Sequence, residues 1–384
     1  MDNVLIVATT SYAGMGPYVV EIVNSFYSDD NVYYFFRDYE DGYFKNNVKN
    51  ELYDNSVFYN LPNSKWNKVK DLIRSKYPFH NEIIELCEQK NISLVHFINN
   101  PGSKLLVKAL LTRGIISVST VHDLHPHEAK KVWYKMLRWR RLNKRVYSNL
   151  IYNSNLVTNS INQFEELKRM FPTKRIYFHS FPSLVTDAVA SGNDIPSELK
   201  DLNKPYILFF GRIEKYKGVI LLYEIFKENT FLNNNYNLVI AGQGDIGLKR
   251  SINENNIIFI NRYILDSEIK YLYEHACCVV YPYISATQSG VLSLAFYFKV
   301  PTITSDIPYF TNIMKDIDNN CIFRSQDKKD LLQKICILLK SNNENLCNKE
   351  YDYYLKYYDK ASIRRDLLKI YSDIINMHLT NYKR

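Results

Sequence analysis

The chain has 384 residues, of which 46% are hydrophobic and 23% are charged. This balance excludes a disordered or fibrous chain. At roughly 150 residues per domain, the length predicts two or three domains that bury full cores without disulfides or metals. Lysine and arginine number 49 against 40 acidic residues, and the net charge of +9 favours an anionic partner. Charge alone does not choose between a phosphate, a nucleic acid and a membrane surface.

The cysteines and the chain start indicate a cellular compartment. The chain has six cysteines, and no two of them form a Cys-x-x-Cys pair, which suits a reducing cytoplasm. The first residues lack the basic region and the long apolar region of a signal peptide, and no window approaches about 18 continuous apolar residues. We therefore expect a cytoplasmic protein without a membrane-spanning helix.

The first half of the chain alternates predicted strands and helices. It opens with a strand at 4–8, a loop that holds Gly14 and Gly16, and a helix at 17–26 with apolar residues at helical spacing. This order is the usual first unit of a doubly wound α/β domain. Further strands are predicted at 93–98, 115–121, 150–158 and 176–178, and helices at 81–89, 104–112 and 161–170.

A polar stretch at 191–205, with one glycine and two prolines, is predicted to link two domains. The alternation then resumes, with strands at 206–210, 237–241, 257–260, 278–281 and 302–305 and helices at 219–228, 266–275, 290–297 and 328–339. The repeated pattern predicts two Rossmann-like domains facing each other, at 1–190 and 200–360. A helix within 361–384 is expected to pack back on the first domain.

The strongest motif is FFGRIEKYKG at 209–218, which follows a predicted strand and precedes a helix. Gly211 lets the backbone approach an anion, and the helix N-terminus adds partial positive charge. Arg212 supplies a guanidinium fork and Lys217 a point charge, a combination suited to a diphosphate. The alternative interpretation is a solvated basic turn.

The segment GQGDIG at 242–247 follows another predicted strand and matches the GxGxxG pattern, with Asp266 near the acidic position expected downstream. A nicotinamide site is therefore one hypothesis. The motif lies in the middle of the second domain and is followed by basic residues, which favours instead a loop facing a nucleotide base or ribose through Gly242 and Gly244. An ordinary tight turn is the third interpretation.

The segment VHDLHPHE at 121–128 follows an apolar run, at a strand end where α/β sheets bind ligands. His122, Asp123 and His127 are candidate metal ligands, but a loop offers no fixed geometry for three converging side chains. A contact between His122 and a substrate is favoured over a metal site, and a structural loop histidine is the alternative.

Two further segments complete the set of motifs. In YISATQSGVLSL at 283–294, Ser289, Gly290 and the following amides at a helix start are suited to a phosphate, although a plain helix cap has the same pattern.

Between Lys130 and Arg145 stand eight basic residues, no acid and two of the three tryptophans. This composition favours an anionic membrane surface or acceptor; RNA binding and a solvated helix face are alternatives, and no RNA-binding motif accompanies it.

The order of these motifs resembles that of the GT-B glycosyltransferases, specifically the retaining glycosyltransferase family 4. The similar segments are the diphosphate clamp FFGRIEKYKG, the glycine turn NLVIAGQGD beside the nucleotide, the donor-site region at 268–306, and the His–Asp loop VHDLHPHE of some members. Gly14 and Gly16 stand where the family brings backbone amides to the donor phosphate.

One departure from the family concerns the donor loop and the helix after it. The family usually carries two glutamates eight positions apart, whereas ATQSGVLSLAFYF at 286–298 holds no acid. The glutamates would fall on Ala286 or Thr287 and on Leu294 or Ala295. The contacts that they make to the donor sugar and ribose are therefore missing here, although the Thr-Gln-Ser-Gly version resembles one found in some branches of the family.

The resemblance implies transfer of a sugar, with retention of configuration, from a UDP or GDP sugar to a hydroxyl of a glycan or lipid-linked acceptor in bacterial surface polysaccharide assembly. It implies no metal and no cofactor besides the nucleotide-sugar co-substrate, and we expect no nucleic-acid partner. The basic segment would place the protein on the inner face of the cell membrane. The alternatives are a non-catalytic nucleotide-sugar or glycan-binding subunit and a Rossmann oxidoreductase.

The expected residue roles follow the motifs and the resemblance. Catalytic roles are expected for His122, Asp123, Arg212 and Lys217. Donor-binding roles are expected for Gly14, Gly16, Gly211, Arg212, Lys217, Gly242, Gly244, Thr287, Gln288, Ser289 and Gly290.

Overall fold

The computed structural model describes residues 2–11, 15–38, 42–60, 79–99, 102–122, 124, 150–247, 254–286 and 289–382. The chain divides into two compact units. The first comprises Met1–Pro182 together with Lys360–Arg384, and the second comprises Ser183–Asp359. The polar stretch at 191–205, predicted as the linker, lies inside the second unit, where Leu199 is buried in the core.

The first unit contains a parallel sheet with helices. Its strands are β1 Asn3–Ala8, β2 Val32–Asp38, β3 Ser56–Asn60, β4 Ile92–Phe97, β5 Ile116–Val121, β6 Asn155–Thr158 and β7 Arg175–Phe178, in the order β3-β2-β1-β4-β5-β6-β7. Its helices up to Pro182 include α1 Met15–Asn24, α2 Tyr43–Asn47, α3 His80–Gln89, α4 Lys104–Leu111 and α5 Ile161–Met170. Helices cover both faces of such a sheet, so strands such as β1 are buried along almost their whole length.

The second unit repeats this topology. Its strands are β8 Tyr206–Phe210, β9 Asn237–Ala241, β10 Ile257–Ile260, β11 Ala276–Tyr281, β12 Thr302–Ser305 and β13 Ile322–Phe323, in the order β10-β9-β8-β11-β12-β13. Its helices are α6 Asp187–Ser191, α7 Val219–Glu228, α8 Thr230–Asn235, α9 Asp266–Glu274, α10 Val291–Tyr297, α11 Pro308–Met314, α12 Lys328–Lys340 and α13 Glu344–Tyr357. The strand order reverses between β8 and β11, where doubly wound sheets bind ligands at the carboxyl ends of the strands. The predicted α/β class, with two Rossmann-like domains, is confirmed.

One strand prediction needs correction, and three strands, β2, β3 and β13, were not predicted. The strand predicted at 150–158 is wrong in its first half, because residues 150–152 are helical and β6 begins only at Asn155. The strands β2 and β3 pair in parallel and carry aromatic residues next to each other. Phe36 of β2 stacks on Phe58 of β3, with their ring centroids 5.3 Å apart.

The chain ends in a long helix, α14 Lys360–Tyr382, that belongs to the first unit. Its apolar side chains enter the core there, and Arg364 forms a bidentate ion pair with Asp29. Tyr371 of α14 is hydrogen-bonded to Nδ1 of His96 in β4 at 2.7 Å, and Nε2 of His96 meets Thr120 Oγ1 at 2.7 Å. Burial lowers the pKa of His96 to about 3, so this contact between helix and sheet is made by a neutral imidazole.

One carboxyl group of the second unit is completely buried. Oε1 of Glu350, in α13, accepts a hydrogen bond from the Thr302 amide at 3.2 Å, and Oε2 has no hydrogen-bond partner within the described part of the chain. Burial raises the pKa of Glu350 well above the usual value of 4.5. Burial therefore favours the protonated form of this carboxyl in the native state.

The substitution Glu350→Gln is expected to raise the melting temperature by an amount that grows between pH 5 and pH 8. As pH rises above the ordinary glutamate pKa, the unfolded chain releases this proton while the native state retains it, so wild-type stability falls. Glutamine keeps an acceptor for Thr302 and does not titrate. Scanning calorimetry across this pH range is the measurement, with Asp352→Asn on the exposed side of α13 as the control. An equal pH dependence in wild type and Glu350→Gln would contradict the prediction.

Candidate functional site

The candidate site of the second unit lies where the loops after β8 and β11 meet. After β8 the chain passes through Gly211 and Arg212, forms a single helical turn at Lys215–Lys217, and enters α7 through Gly218. Gly218 has a φ of 67°, and a Cβ atom there would lie 1.8 Å from the carbonyl oxygen of Pro282. The absence of a side chain at Gly218 thus allows the two loops to touch.

Lys217 is a buried cation in this loop, with 8% of its surface exposed. Its Nζ donates a hydrogen bond to the Tyr283 hydroxyl at 2.5 Å and lies 4.2 Å from the centroid of the Tyr283 ring. Burial lowers its pKa from 10.5 to about 8. Among the residues that the structure describes, no carboxylate forms an ion pair with Lys217. An anionic ligand would supply the missing charge partner.

Tyr283 is itself held by the strands and loops beside it. Its ring packs on Phe310 at 5.0 Å, and its carbonyl oxygen accepts a hydrogen bond from Ser305 Oγ at 2.6 Å. The Tyr283 hydroxyl lies 3.4 Å from Ser289 Oγ, and the Ser289 carbonyl accepts a hydrogen bond from the Tyr309 hydroxyl at 2.9 Å. Lys217 and Ser289, two predicted site residues, thus meet the same tyrosine.

Arg212, unlike Lys217, is exposed to solvent and forms an ion pair within the protein. Its side chain is 65% exposed and pairs with Glu214 at 3.0 Å. An exposed pair of this kind contributes about 0–1 kcal/mol, so exchanging Glu214 for a ligand anion costs little. Repulsion from Arg212 also contributes, after burial, to the lowered pKa of Lys217, which indicates that the two cations act on each other.

The glycines of FFGRIEKYKG and GQGDIG allow the loops after β8 and β9 to pack closely together. Gly242 and Gly244 have φ values of 142° and 153°, and Cβ atoms there would lie 2.0 and 2.2 Å from the carbonyl oxygens of Gly211 and Ile213. The amide of Gly211 donates to Ala241, that of Gly242 to Ile260 and that of Gly244 to Asn261. These amides are therefore already used within the protein. The donor-binding roles of Gly211, Gly242 and Gly244 stay a prediction based on close approach.

The nicotinamide hypothesis for GQGDIG receives no support from this geometry. In a dinucleotide site the glycines follow the first strand of the unit and approach a pyrophosphate. Here they follow β9, the second strand, and pack against the loop after β8. Asp266, at the start of α9, accepts a hydrogen bond from Thr186 at 3.4 Å.

The positions of the missing glutamates lie in and beside α10. Leu294 is 1% exposed and Ala295 is fully buried, and both belong to the apolar core of the unit. Gly290 precedes α10, and a Cβ atom there would lie 2.7 Å from Leu184 Cγ. Thr287 and Gln288, two predicted donor-binding residues, lie outside the described residues.

The candidate residues of the first unit lie at the carboxyl end of its sheet. His122 follows β5, and its Nε2 lies 2.8 Å from the Ile98 carbonyl oxygen. A carbonyl only accepts, so Nε2 carries the hydrogen. The imidazole meets the Tyr18 ring edge-on, with their centroids 4.6 Å apart.

The remaining predicted sites of the first unit are only partly described. Gly16 lies in the first turn of α1, where a Cβ atom would meet the Tyr43 ring. Gly14, Asp123 and the basic segment at 130–145 lie outside the described residues. The residues that the structure does describe contain no group of three or more His, Cys, Asp or Glu placed to hold a metal.

Sequence reasoning missed Tyr283 and Tyr309 as members of this site. Tyr309 belongs to none of the motifs, and Tyr283 opens the YISATQSGVLSL segment, whose predicted phosphate contacts were placed on Ser289 and Gly290 instead. Only the position of Tyr283 in the chain could have indicated its role. It comes two residues after β11, at the edge of the sheet where the strand order reverses. That edge becomes visible only once β8 and β11 are known to be neighbours.

Comparison with known proteins agrees with the fold. Residues 191–354 match the family model described as "Glycosyl transferases group 1". The matched residues are fewer than half of the chain and all lie within the second unit. A search of curated proteins finds no significant match.

Solved structures match the chain over almost its whole length. Sucrose-phosphate synthase from Thermosynechococcus elongatus has 14% identity and a TM-score of 0.63, covering 98% of this chain and 100% of that chain. HepE from Anabaena, in complex with UDP and glucose, has 14% identity and a TM-score of 0.66, covering 97% and 100%. A glycosyltransferase from Rickettsia africae has 15% identity and a TM-score of 0.64, covering 97% and 98%. These similarities show the GT-B fold.

The substitution Lys217→Met is expected to stabilise the ligand-free protein by about 1–3 kcal/mol at pH 7, because a lysine pKa lowered to about 8 reports the penalty of burying its charge. The gain should be largest below pH 8 and shrink between pH 8 and pH 10, where the native amine loses its proton. Urea unfolding at pH 7 and pH 9.5 is the measurement. The exposed neighbour Lys215→Met is the control, and a less stable Lys217→Met at both pH values would contradict the prediction.

Proposed function

We propose that the protein is a glycosyltransferase that moves a sugar from a nucleoside-diphosphate sugar to a hydroxyl group of an acceptor. The observation that carries this proposal is the buried amine of Lys217, which no acid pairs within the described residues and which lies where doubly wound sheets bind ligands. The family match over 191–354 and the GT-B fold support the same class of reaction.

The chemistry follows from where charge develops during transfer. When the bond between the sugar and the β-phosphate breaks, negative charge grows on the phosphate oxygens. A cation already held in a water-poor site stabilises that charge without having to reorganise. Lys217 supplies such a cation, and Arg212 supplies a second after it leaves Glu214. In this proposal the two cations take the place of a divalent metal ion.

We further propose that transfer retains the configuration of the sugar. The acceptor oxygen forms its bond to the anomeric carbon on the face from which the phosphate departs, and the acceptor proton passes to the leaving phosphate oxygen. This route needs no enzyme carboxylate as nucleophile. His122 would contact the donor sugar and restrict its orientation.

The acceptor and the cellular setting are proposed from the sequence. The acceptor is a glycan or a lipid-linked glycan in bacterial surface polysaccharide assembly, and the basic segment at 130–145 contacts an anionic membrane surface from the cytoplasm. No helix of the described residues is long and apolar enough to cross a bilayer. Failure of the protein to sediment with anionic vesicles at low salt would contradict the membrane contact.

A second candidate function is a non-catalytic subunit that binds a nucleotide sugar or a glycan. This candidate is favoured because Leu294 and Ala295 of α10 are buried apolar residues at the positions where the family carries a glutamate. This candidate predicts binding of a nucleoside diphosphate without turnover, whereas an enzyme shows both.

A thermal-shift series with UDP, GDP, CDP, ADP and NADH, without added metal, tests the proposal. A ligand at about 100 times its Kd should stabilise the protein by about 2.7 kcal/mol. We expect a shift with one nucleoside diphosphate, and loss of that shift in Lys217→Met. A shift with NADH alone, or with none of the five ligands, would overturn the proposed donor site.

The substitutions Arg212→Ala and Lys217→Ala are each expected to lower sugar transfer by roughly 10²–10³-fold, the usual effect of removing one preorganised donor to a developing anion. Initial rates with the nucleotide sugar identified by the thermal-shift series are the measurement. Lys215→Ala, on an exposed position of the same turn, is the matched control. Wild-type rates in both variants would rule out the two cations as the stabilising groups.

A further inference from the structure

The side chain of Gln163 holds the backbone on both sides of residue 123. Its Nε2 donates a hydrogen bond to the His122 carbonyl at 2.8 Å, and its Oε1 accepts one from the Leu124 amide at 3.0 Å. Gln163 is only 3% exposed, so water does not compete for these two bonds. One side-chain amide thus bridges the start of the VHDLHPHE loop.

This geometry differs from the one that the local sequence predicts. Ser160 caps α5, and Gln163 stands three residues later, which is the spacing of a capping box. In a capping box the glutamine side chain would return to the Ser160 amide. Here that amide donates to Thr158 Oγ1 at 3.3 Å. The Gln163 side chain is therefore not required by its own helix and reaches the His122 loop instead.

The His122 ring is fixed by other elements of the same unit. Its Nε2 donates to Ile98 at the end of β4, and the edge-on contact to Tyr18 comes from α1. The Tyr18 hydroxyl in turn donates to Asn159 Oδ1 at 3.0 Å. The ring contacts set the orientation and tautomer of the imidazole only if the backbone that carries the ring stays in place.

We propose that Gln163 is a positioning residue for His122. By bonding the carbonyl of residue 122 and the amide of residue 124, it fixes the point from which the imidazole extends and keeps Nε2 within reach of Ile98. This inference rests on the proposed function, which gives His122 a contact to the donor sugar. Misplacing a reacting group by about 1 Å can slow a reaction by about 10²-fold.

Two variants of Gln163 test the proposal. Gln163→Glu keeps the bond to Leu124 and turns the other contact into repulsion between a carboxylate and the His122 carbonyl, whereas Gln163→Met removes both bonds at similar size. We expect kcat for sugar transfer to fall by roughly 10–100-fold in each variant, with the KM for the nucleotide sugar changed less than kcat. Glu165→Gln, on the exposed face of the same helix, should keep the wild-type kcat.

A double-mutant cycle separates positioning from a general structural effect. If Gln163 acts through His122, then Gln163→Met causes no further loss of kcat in a His122→Ala background. Additive losses, or a wild-type kcat in both Gln163 variants, would overturn the proposal.

A spectroscopic measurement keeps the inference separate from the proposed function. In protein labelled with ¹⁵N-histidine, the ring nitrogens of His122, assigned with His122→Ala, should report the tautomer with hydrogen on Nε2. We expect Gln163→Met to shift these signals towards a mixture of tautomers. Unchanged signals overturn the positioning role even if no sugar transfer is found, whereas absent transfer with shifted signals counts against the proposed function alone.

Discussion

The second unit depends on the meeting of two loops that are distant in the sequence. Lys217 and Tyr283 are 66 residues apart, yet their side chains touch because β8 and β11 are neighbours where the strand order reverses. The close approach of Gly218 to Pro282 brings the two loops into contact at this place. A charged amine is stable there only because the surrounding strands and loops fix its position. In the proposed function, the same surroundings hold this amine in place to bind an anion.

The two units use buried polar groups in different ways. The first unit buries His96, Tyr371 and Thr120 as a neutral hydrogen-bonded set, which joins α14 to the sheet without a net charge. Such a set stabilises the fold, because its polar groups are hydrogen-bonded to one another and none of them carries a charge. The second unit buries the charge of Lys217 against a neutral phenol. The difference agrees with a structural role for the first contact and with the anion-binding role that we propose for Lys217.

The sequence predicted the parts of the fold that depend on local pattern. The strands β8, β9, β10 and β12 begin and end at the predicted residues, because short apolar runs bounded by polar residues mark buried parallel strands. Contacts across the sheet were not predictable in this way. Tyr283 as the partner of Lys217 requires the strand order, and the reach of Gln163 to His122 requires knowing that Thr158 already satisfies the Ser160 amide.

Apolar residues that pack in the core of the second unit occupy the positions where the family has its second glutamate. Leu294 and Ala295 face its core, and α10 packs against α13. A glutamate at either position would bury a carboxylate among apolar side chains, which costs several kcal/mol unless a partner is supplied. We therefore expect a single reverse substitution to destabilise the second unit. In the proposed enzyme, donor binding must then rest more on the diphosphate, held by Lys217 and Arg212, than on the ribose.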